Sequence, residues 1–213
     1  IRSIETEPIN NFRAERKSPA DFACPPQGKF IRVINAIEGE LLTTETIEEA
    51  LVIDGNTVSA PERDILKMCV VNRYENAAPA IGFIKNFGLR RGAIASSVGH
   101  DSHNIIAVGA DDASLASAVN AVIDARGGMA VSDGAAVDCL ALPVAGLMSA
   151  APAEEVAAKY SQIEQKARAL GSPMRAPFMT LSFMALLVIP EIKLSDKGLF
   201  DGRTFSFIDL FAK

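Results

Sequence analysis

The sequence predicts an α+β (mixed α/β) domain, in which a mixed β-sheet carries two amphipathic helices and is preceded by strands that complete a small β domain. Short apolar runs of strand character fill the first half of the chain, and two amphipathic helical stretches follow from residue 111 onward. Strands followed by mixed strands and helices are typical of this class. The 213 residues, 49% of them hydrophobic, provide an ordinary core and exclude a disordered chain.

Composition and charge exclude several function classes. The net charge of −5 and the sequence pI of about 5.1 argue against nucleic acid or an anionic membrane as the main partner. The longest apolar run, residues 183–190, is too short to span a bilayer, and we expect no signal peptide, because no basic segment followed by an apolar run opens the given sequence. Three widely spaced cysteines without a CxxC motif exclude a disulfide framework and a zinc ribbon. We therefore expect a cytoplasmic protein.

The first third of the chain divides into a lead-in and a group of strands. Residues 1–29 are polar and contain four prolines, which predicts a lead-in that wraps a surface and has little core of its own. Residues 30–75 are predicted to form the strands of the small β domain, with apolar runs at 30–37, 50–53 and 66–71. A turn signal, Asp-Gly-Asn, follows the second run.

Residues 76–213 are predicted to form a second domain, which is richer in glycine, alanine and aliphatic residues. Its sheet is predicted from several apolar runs, some of them nearly continuous, as in strands that are covered on both faces. The predicted strands lie at 80–84, 93–98, 104–109 and, at the end of the chain, 203–211.

Two helices are predicted at 111–126 and 152–170. Asp111 or Asp112 can cap the first helix, because a short carboxylate accepts a hydrogen bond from a free N–H group of the first turn. The second helix has acidic residues in its first turn and basic residues in its last, as the helix dipole favours. Its apolar stripe is predicted to face the core and consists of Val156, Tyr160, Ile163, Ala167 and Leu170.

One dense polar cluster lies between two apolar strands, in what we call the His loop (residues 99–103). It holds the only two histidines of the chain, His100 and His103. With Asp101 they are candidate catalytic residues that could bind a divalent metal, relay protons or hydrogen-bond a polar ligand. Ser102 and Asn104 are candidate substrate contacts. The alternative is a loop whose polar side chains only form hydrogen bonds with its own backbone, because aspartate, serine and asparagine are good turn residues.

Several stretches of the sequence, in the same order, resemble the carboxy-terminal domain of bacterial adenine deaminases. The resemblance covers roughly residues 30–211 and is specific, because several unusual motifs occur together. Two positions depart from the pattern, with Ser195 where threonine is usual and Asn72 where an acidic residue is common. The matching stretches are residues 92–98, 100–106, 142–149, 177–183 and 188–196, and the upstream stretches 64–67 and 70–74 also fit.

The resemblance implies a hydrolase of the amidohydrolase superfamily. Such deaminases use a metal-binding (β/α)₈ barrel, with Mn or Fe, to activate the water that attacks C6 of adenine, and they release hypoxanthine and ammonia. The barrel is absent from this chain, which is therefore expected to form part of the wall of the active site. The implied partners are adenine, the barrel of the same protein and further copies in a homo-oligomer.

For this chain alone we expect no activity and no required cofactor, because two histidines cannot build the bimetallic site. In the complete enzyme the His loop is expected to face the barrel mouth. There His100 or His103 would hydrogen-bond adenine or move a proton to the leaving ammonia, and Asp101 would orient one imidazole. Two alternatives remain: a self-contained metal-binding hydrolase, with His100 and His103 as metal ligands, or a non-catalytic oligomerisation module.

Overall fold

A computed structural model describes residues 9–212, which contain fourteen strands and three α-helices. The helices are α1 (Asp112–Asp124), α2 (Ala153–Ala169) and α3 (Pro177–Ser182). The strands are β1 (Phe30–Ala36), β2 (Thr43–Glu49), β3 (Leu51–Ile53), β4 (Asn56–Val58), β5 (Leu66–Val71), β6 (Ala80–Lys85), β7 (Ala93–Ser96), β8 (Ile105–Gly109), β9 (Gly128–Ser132), β10 (Val137–Ala141), β11 (Ile192–Ser195), β12 (Gly198–Asp201), β13 (Ser206–Phe207) and β14 (Phe211–Ala212). Both predicted helices and the mixed sheet are confirmed.

Nine strands form the main sheet, in the order β10-β9-β7-β8-β5-β6-β1-β14, with β2 paired to β1. Neighbours are antiparallel except β1 and β6, which run parallel with Val33 opposite Phe83. A three-stranded sheet, β11-β12-β13, and the hairpin β3-β4 complete the β structure. The central strands β5, β7 and β8 are buried along their whole length, which explains why their sequences are mostly apolar; Lys67 in β5 and Ser96 in β7 are the polar exceptions.

The two faces of the main sheet pack against different elements. On one face, alternate side chains of β5, β7 and β8 pack with α1. On the other face, the intervening side chains pack with α2, α3 and the strands β11 and β12. This alternation follows from the two-residue period of a strand. Sheet and helices therefore form a layered core with a well-covered centre.

The lead-in contributes more to this core than the sequence suggested. Phe22 is fully buried and Phe12 is 9% exposed, and both belong to the apolar cluster around α1. The carbonyl of Phe22 also accepts a hydrogen bond of 2.8 Å from the buried ammonium group of Lys67. Residues 9–29 therefore add buried aromatic side chains to a core that α1 and the main sheet build. Residues 1–8 lie outside the described part of the chain.

The structure decides which aspartate caps α1. Asp111 is the N-cap residue, and its carboxylate accepts a hydrogen bond of 2.7 Å from the backbone N–H of Ser114. Asp112 instead forms an ion pair of 2.6 Å with Lys67. In α2, Ile163 and Ala167 of the predicted stripe are completely buried against the sheet.

Some elements differ from the prediction. The final strand predicted over 203–211 is wrong in extent, because only β13 and β14 form there, two residues each. The run at 50–53 forms the short strand β3 of a hairpin. Six further strands (β2, β4, β9, β10, β11 and β12) and the short helix α3 were not predicted. β2 is rich in threonine and glutamate and lies largely exposed, so its sequence carries a weak apolar pattern.

Strands on both sides of the predicted domain boundary at residues 75 and 76 share one sheet, because β1 and β5 both pair with β6. The division into a lead-in, a small β domain and a larger second domain stays a prediction. Among the residues that the structure describes, no helix is long and apolar enough to cross a membrane.

Candidate functional site

The candidate site lies at one edge of the main sheet. β5 and β7 both end at this edge and β8 begins there, because β8 is antiparallel to both of its neighbours. Residues 72–74 follow β5, and the His loop connects β7 to β8. Polar residues that follow buried strands are held rigidly at such an edge and can face a ligand.

The His loop is anchored from two sides. The backbone N–H of His100 donates a hydrogen bond of 2.8 Å to the carbonyl of Ser182, at the end of α3. The His100 ring stacks on Phe183, with the ring centroids 5.1 Å apart and an interplanar angle of 13°. Within the loop, the N–H of His103 donates to the carbonyl of Gly99 at 2.7 Å. The two histidines are therefore held by α3 and by the turn itself.

The two imidazole rings lie close to each other, with centroids 5.8 Å apart and tilted by 60°. Nδ1 of His103 is buried, and it has no hydrogen-bond partner within residues 9–212. Burial lowers the pKa of His103 below its ordinary 6.5, and the nearby His100 and Arg73 lower it further, while Asp101 opposes them. The His103 ring is therefore mostly neutral at pH 7 and keeps one nitrogen free to accept a proton or a hydrogen bond.

The other three predicted site residues have different environments. Asp101 and Ser102 are exposed, and within the described residues the Asp101 carboxylate makes no hydrogen bond to either imidazole. Asp101 acts on His103 through its charge and not through contact. Asn104 is 3% exposed, and its Oδ1 accepts a hydrogen bond of 3.2 Å from the backbone N–H of Arg73. The structure thus brings His100, Asp101, Ser102 and His103 to the surface and Asn104 to the interior.

Three residues that the sequence reasoning missed complete the site: Arg73, Tyr74 and Phe183. The Tyr74 hydroxyl donates a hydrogen bond of 2.7 Å to the carbonyl of Ser102 and accepts one of 3.0 Å from Nη2 of Arg73. Residues 72–74 are polar and follow a buried strand, which is the same signal that identified the His loop. Applied to β5, that signal would have found Arg73 and Tyr74.

Four of the stretches that carry the family resemblance meet at this edge. The stretch 142–149 reaches it through the carbonyl of Ala145, which accepts a hydrogen bond of 2.7 Å from Arg73. The stretch 177–183 contributes α3 and Phe183, and 188–196 contributes Asp196, which accepts a hydrogen bond of 3.0 Å from Asn72. Residues 100–103 of the His loop belong to the fourth stretch, 100–106. Motifs that lie far apart in the sequence therefore come together at this edge of the sheet.

No group of three or more His, Cys, Asp or Glu side chains within residues 9–212 is arranged to hold a metal ion. His100 and His103 are near each other, but a two-histidine site falls short of the four ligands usual for structural zinc and of the three used in catalytic sites. The alternative of a self-contained metal-binding hydrolase therefore gains no support from the described residues.

An apolar groove of about 580 Å³ begins beside the His loop at Val98. It runs between the segment 142–151 and the first half of α2, with Tyr160 on its wall. Met148, at its rim, is 57% exposed. Exposed apolar surface of this kind often marks a contact with another protein surface.

Comparison with known proteins identifies the family. Residues 40–206 match the model for the adenine deaminase C-terminal domain. The chain is 52% identical over 214 residues to the adenine deaminase of Salinibacter ruber, an alignment that covers 99% of this chain and 39% of that protein. It is 55% identical over 184 residues to the adenine deaminase of Methanosarcina mazei, covering 86% of this chain and 33% of the relative.

A more distant relative, the adenine deaminase of Borreliella afzelii, is 44% identical over 211 residues, covering 98% of this chain and 38% of the relative. The chain thus spans 33–39% of the length of these three curated relatives. These matches confirm the resemblance that the motifs indicated. The chain belongs to the adenine deaminase C-terminal domain family.

Proposed function

We propose that this chain is the carboxy-terminal part of an adenine deaminase, which hydrolyses adenine to hypoxanthine and ammonia, and that it forms part of the active-site wall. The observation that carries this proposal is the polar sheet edge, where the two histidines meet three other stretches typical of the family. The metal-binding barrel, with Mn or Fe, belongs to the remainder of the protein. When bound there, the metal activates the attacking water.

The His loop contributes hydrogen bonding in this proposal. A neutral imidazole has one N–H donor and one acceptor nitrogen, and a purine edge likewise presents donors and acceptors side by side. The pKa of His103 lies below its ordinary value, so little imidazolium is present at pH 7. Binding of adenine, or acceptance of a proton, is therefore favoured over proton delivery as the role of His103.

The proposed partners are adenine, the barrel of the same protein and further copies of it. The apolar groove beside Val98 and the exposed strand β3 support contacts with other protein surfaces. In β3 all three side chains, Leu51, Val52 and Ile53, are between 39% and 51% exposed. Isolated apolar side chains are common on surfaces, but a run of three on one strand favours a covered position in the complete assembly.

The test compares this chain with a full-length deaminase that contains it. We expect the 213-residue chain to release no ammonia from adenine above a blank when Mn²⁺ or Fe²⁺ is added, because the described residues provide no metal site. The full-length protein under the same conditions should release it. Turnover by the chain alone would overturn the proposal that the metal site lies in the remainder of the protein. An inactive, correctly folded and metal-loaded full-length protein would overturn the assignment as a deaminase.

A further inference from the structure

Arg73 is a buried cation beside the His loop that the proposed function does not yet use. The residue is only 5% exposed. Its guanidinium donates hydrogen bonds to the carbonyl of Ala145 at 2.7 Å and to the hydroxyl of Tyr74 at 3.0 Å. The guanidinium carbon also lies 4.8 Å from the centre of the Tyr74 ring and 5.9 Å from that of Phe12.

Within residues 9–212 no carboxylate forms an ion pair with Arg73; neutral oxygens and aromatic faces surround its charge instead. A buried charge held in this way costs free energy of desolvation that an apolar residue of similar size would avoid. Stability alone therefore does not account for an arginine at this position. Its surroundings point to a role in the neighbouring loop.

Arg73 is linked to the His loop at two points. Its backbone N–H donates to Oδ1 of Asn104, which directly follows the loop. Its side chain fixes the Tyr74 hydroxyl, which in turn donates a hydrogen bond of 2.7 Å to the carbonyl of Ser102. Both contacts flank His103 in the sequence, so a shift of Arg73 would move the backbone on either side of that ring.

We propose that Arg73 is a positioning residue of the His loop, which holds the backbone around His103 in place and keeps a fixed positive charge next to its ring. The inference rests on the proposed function, in which the loop contacts adenine. An arginine remains charged in proteins, so its charge does not vary with pH over the range in which histidine titrates.

This fixed charge affects how His103 titrates. The charged groups that act on the ring are His100 and Arg73, which lower its pKa, and Asp101, which raises it; burial lowers it most. Loss of the Arg73 charge should therefore raise the pKa of His103. A neutral His103 can accept a hydrogen bond from an N–H group of adenine, whereas the imidazolium cannot.

Gly146 offers an independent way to disturb Arg73. A Cβ atom at this position would lie 2.0 Å from Nη1 of Arg73, and the residue has a φ of +71°. The guanidinium is buried and hydrogen-bonded to the adjacent Ala145, so it cannot simply swing away. Gly146→Ala should therefore displace the guanidinium without removing its charge.

The experiment is a pH titration of the imidazole signals by NMR in the 213-residue chain. Only two histidines are present, so the single variant His100→Asn assigns both signals. Arg73→Gln, which keeps a hydrogen-bond donor and loses the charge, should raise the His103 midpoint. Arg73→Lys should restore the wild-type midpoint. Tyr74→Phe, which removes the tether to Ser102 and keeps the charge, should change the His103 chemical shifts without the rise in midpoint that Arg73→Gln causes.

Arg90→Gln is the matched control, because Arg90 is exposed and donates to the carbonyl of Pro61, away from the loop. An unchanged His103 midpoint in folded Arg73→Gln, or an equal change in Arg90→Gln, would overturn the inference. If Arg73→Gln does not fold, Gly146→Ala replaces it; unchanged His103 chemical shifts and an unchanged midpoint in that folded variant would likewise overturn the inference.

The same variant in the full-length deaminase separates this inference from the proposed function. If His103 contacts adenine in its neutral form, the acid limb of the kcat/KM profile should move to higher pH in Arg73→Gln by the same amount as the NMR midpoint. A moved midpoint together with an unmoved acid limb would support the link between Arg73 and His103 and contradict the use of the loop in catalysis.

Discussion

Lys193 combines a charged group with complete burial. Its side chain, on β11, is 0% exposed, and its ammonium group donates one hydrogen bond of 2.6 Å, to the carbonyl of Leu41. Burial lowers its pKa from 10.5 to about 8. Above pH 8 the folded protein thus releases this proton while the unfolded chain keeps it, so folding becomes more favourable as the pH rises toward 10.5.

Lys193→Met should remove this pH dependence. Relative to the variant, the wild-type chain should gain roughly 2 kcal/mol in free energy of unfolding between pH 8 and pH 10. Urea unfolding of both proteins at several pH values measures this difference in free energy of unfolding. The contributions of the other titrating groups are common to both proteins and cancel. Parallel pH profiles for the two proteins would contradict the assigned environment of Lys193.

Which residues belong to the candidate site was partly predictable from the sequence. His100 and His103 were found because they are polar residues between two apolar strands, a pattern visible in the local sequence. Phe183 could not be found in this way, because its stacking on His100 depends on how α3 packs against the sheet. The environment of His103 also depends on Arg73, which lies thirty positions away in the sequence. A local sequence pattern does not connect residues that far apart.

At the scale of elements, removal of the N-cap of α1 should have a measurable effect on the free energy of unfolding. The Asp111 carboxylate accepts hydrogen bonds from the backbone N–H of Ser114 at 2.7 Å and from its hydroxyl at 2.8 Å. Asp111→Ala should lower the free energy of unfolding by about 1 kcal/mol. Asp124→Ala, at the exposed end of the same helix, is the control and should change it by less than about 0.5 kcal/mol. Equal effects would argue against the cap.

Substitution of the buried residue Phe22 tests how firmly the lead-in is attached to the core. Phe22 is 0% exposed and packs in the apolar cluster around α1, so Phe22→Ala should lower the free energy of unfolding by about 3–5 kcal/mol. Ile9 is 86% exposed, and Ile9→Ala should have an effect below about 0.5 kcal/mol. A small effect of Phe22→Ala in thermal or urea unfolding would show that the lead-in is only loosely attached.

Elements were predictable where one strong period dominates the sequence. The stripe of α2 belongs to this group because one face of the helix is buried. The mostly apolar runs of β5 and β8 belong to it because both faces of these strands are buried. β2 was missed because only one of its residues, Thr43, is buried, so the strand has no apolar face that alternates. The segment at 203–211 contains an alternating pattern but is interrupted by turns.

At the scale of the whole molecule, one sheet brings distant stretches to one edge. The order β7-β8-β5 places the ends of three strands together, and α3 and the stretch 142–149 close over them. The fold class and the family followed from the sequence, whereas this convergence follows only from the strand order. Surface features also belong to this scale, since the proposed contacts beyond this chain rest on the apolar groove at Val98 and the exposed strand β3.

The central claim is that the His loop works in the active site of the complete deaminase, and the most direct measurement is kcat for adenine in the full-length protein carrying His103→Asn. General acid–base or hydrogen-bonding help of this kind typically contributes about 10²–10⁴-fold. We expect kcat to fall at least about tenfold while the metal content stays constant. Asp101→Ala should act differently: the Asp101 charge raises the pKa of His103, so its loss should favour the neutral ring, move the acid limb of the kcat/KM profile to lower pH and leave kcat at neutral pH near the wild-type value.

Asp54→Asn is the matched control, because Asp54 lies in the exposed turn between β3 and β4, and it should keep the wild-type kcat. A fall in kcat for His103→Asn at constant metal content is the result that this account predicts. Full activity of His103→Asn, with only a lower melting temperature, would contradict it and show that the loop serves the fold alone.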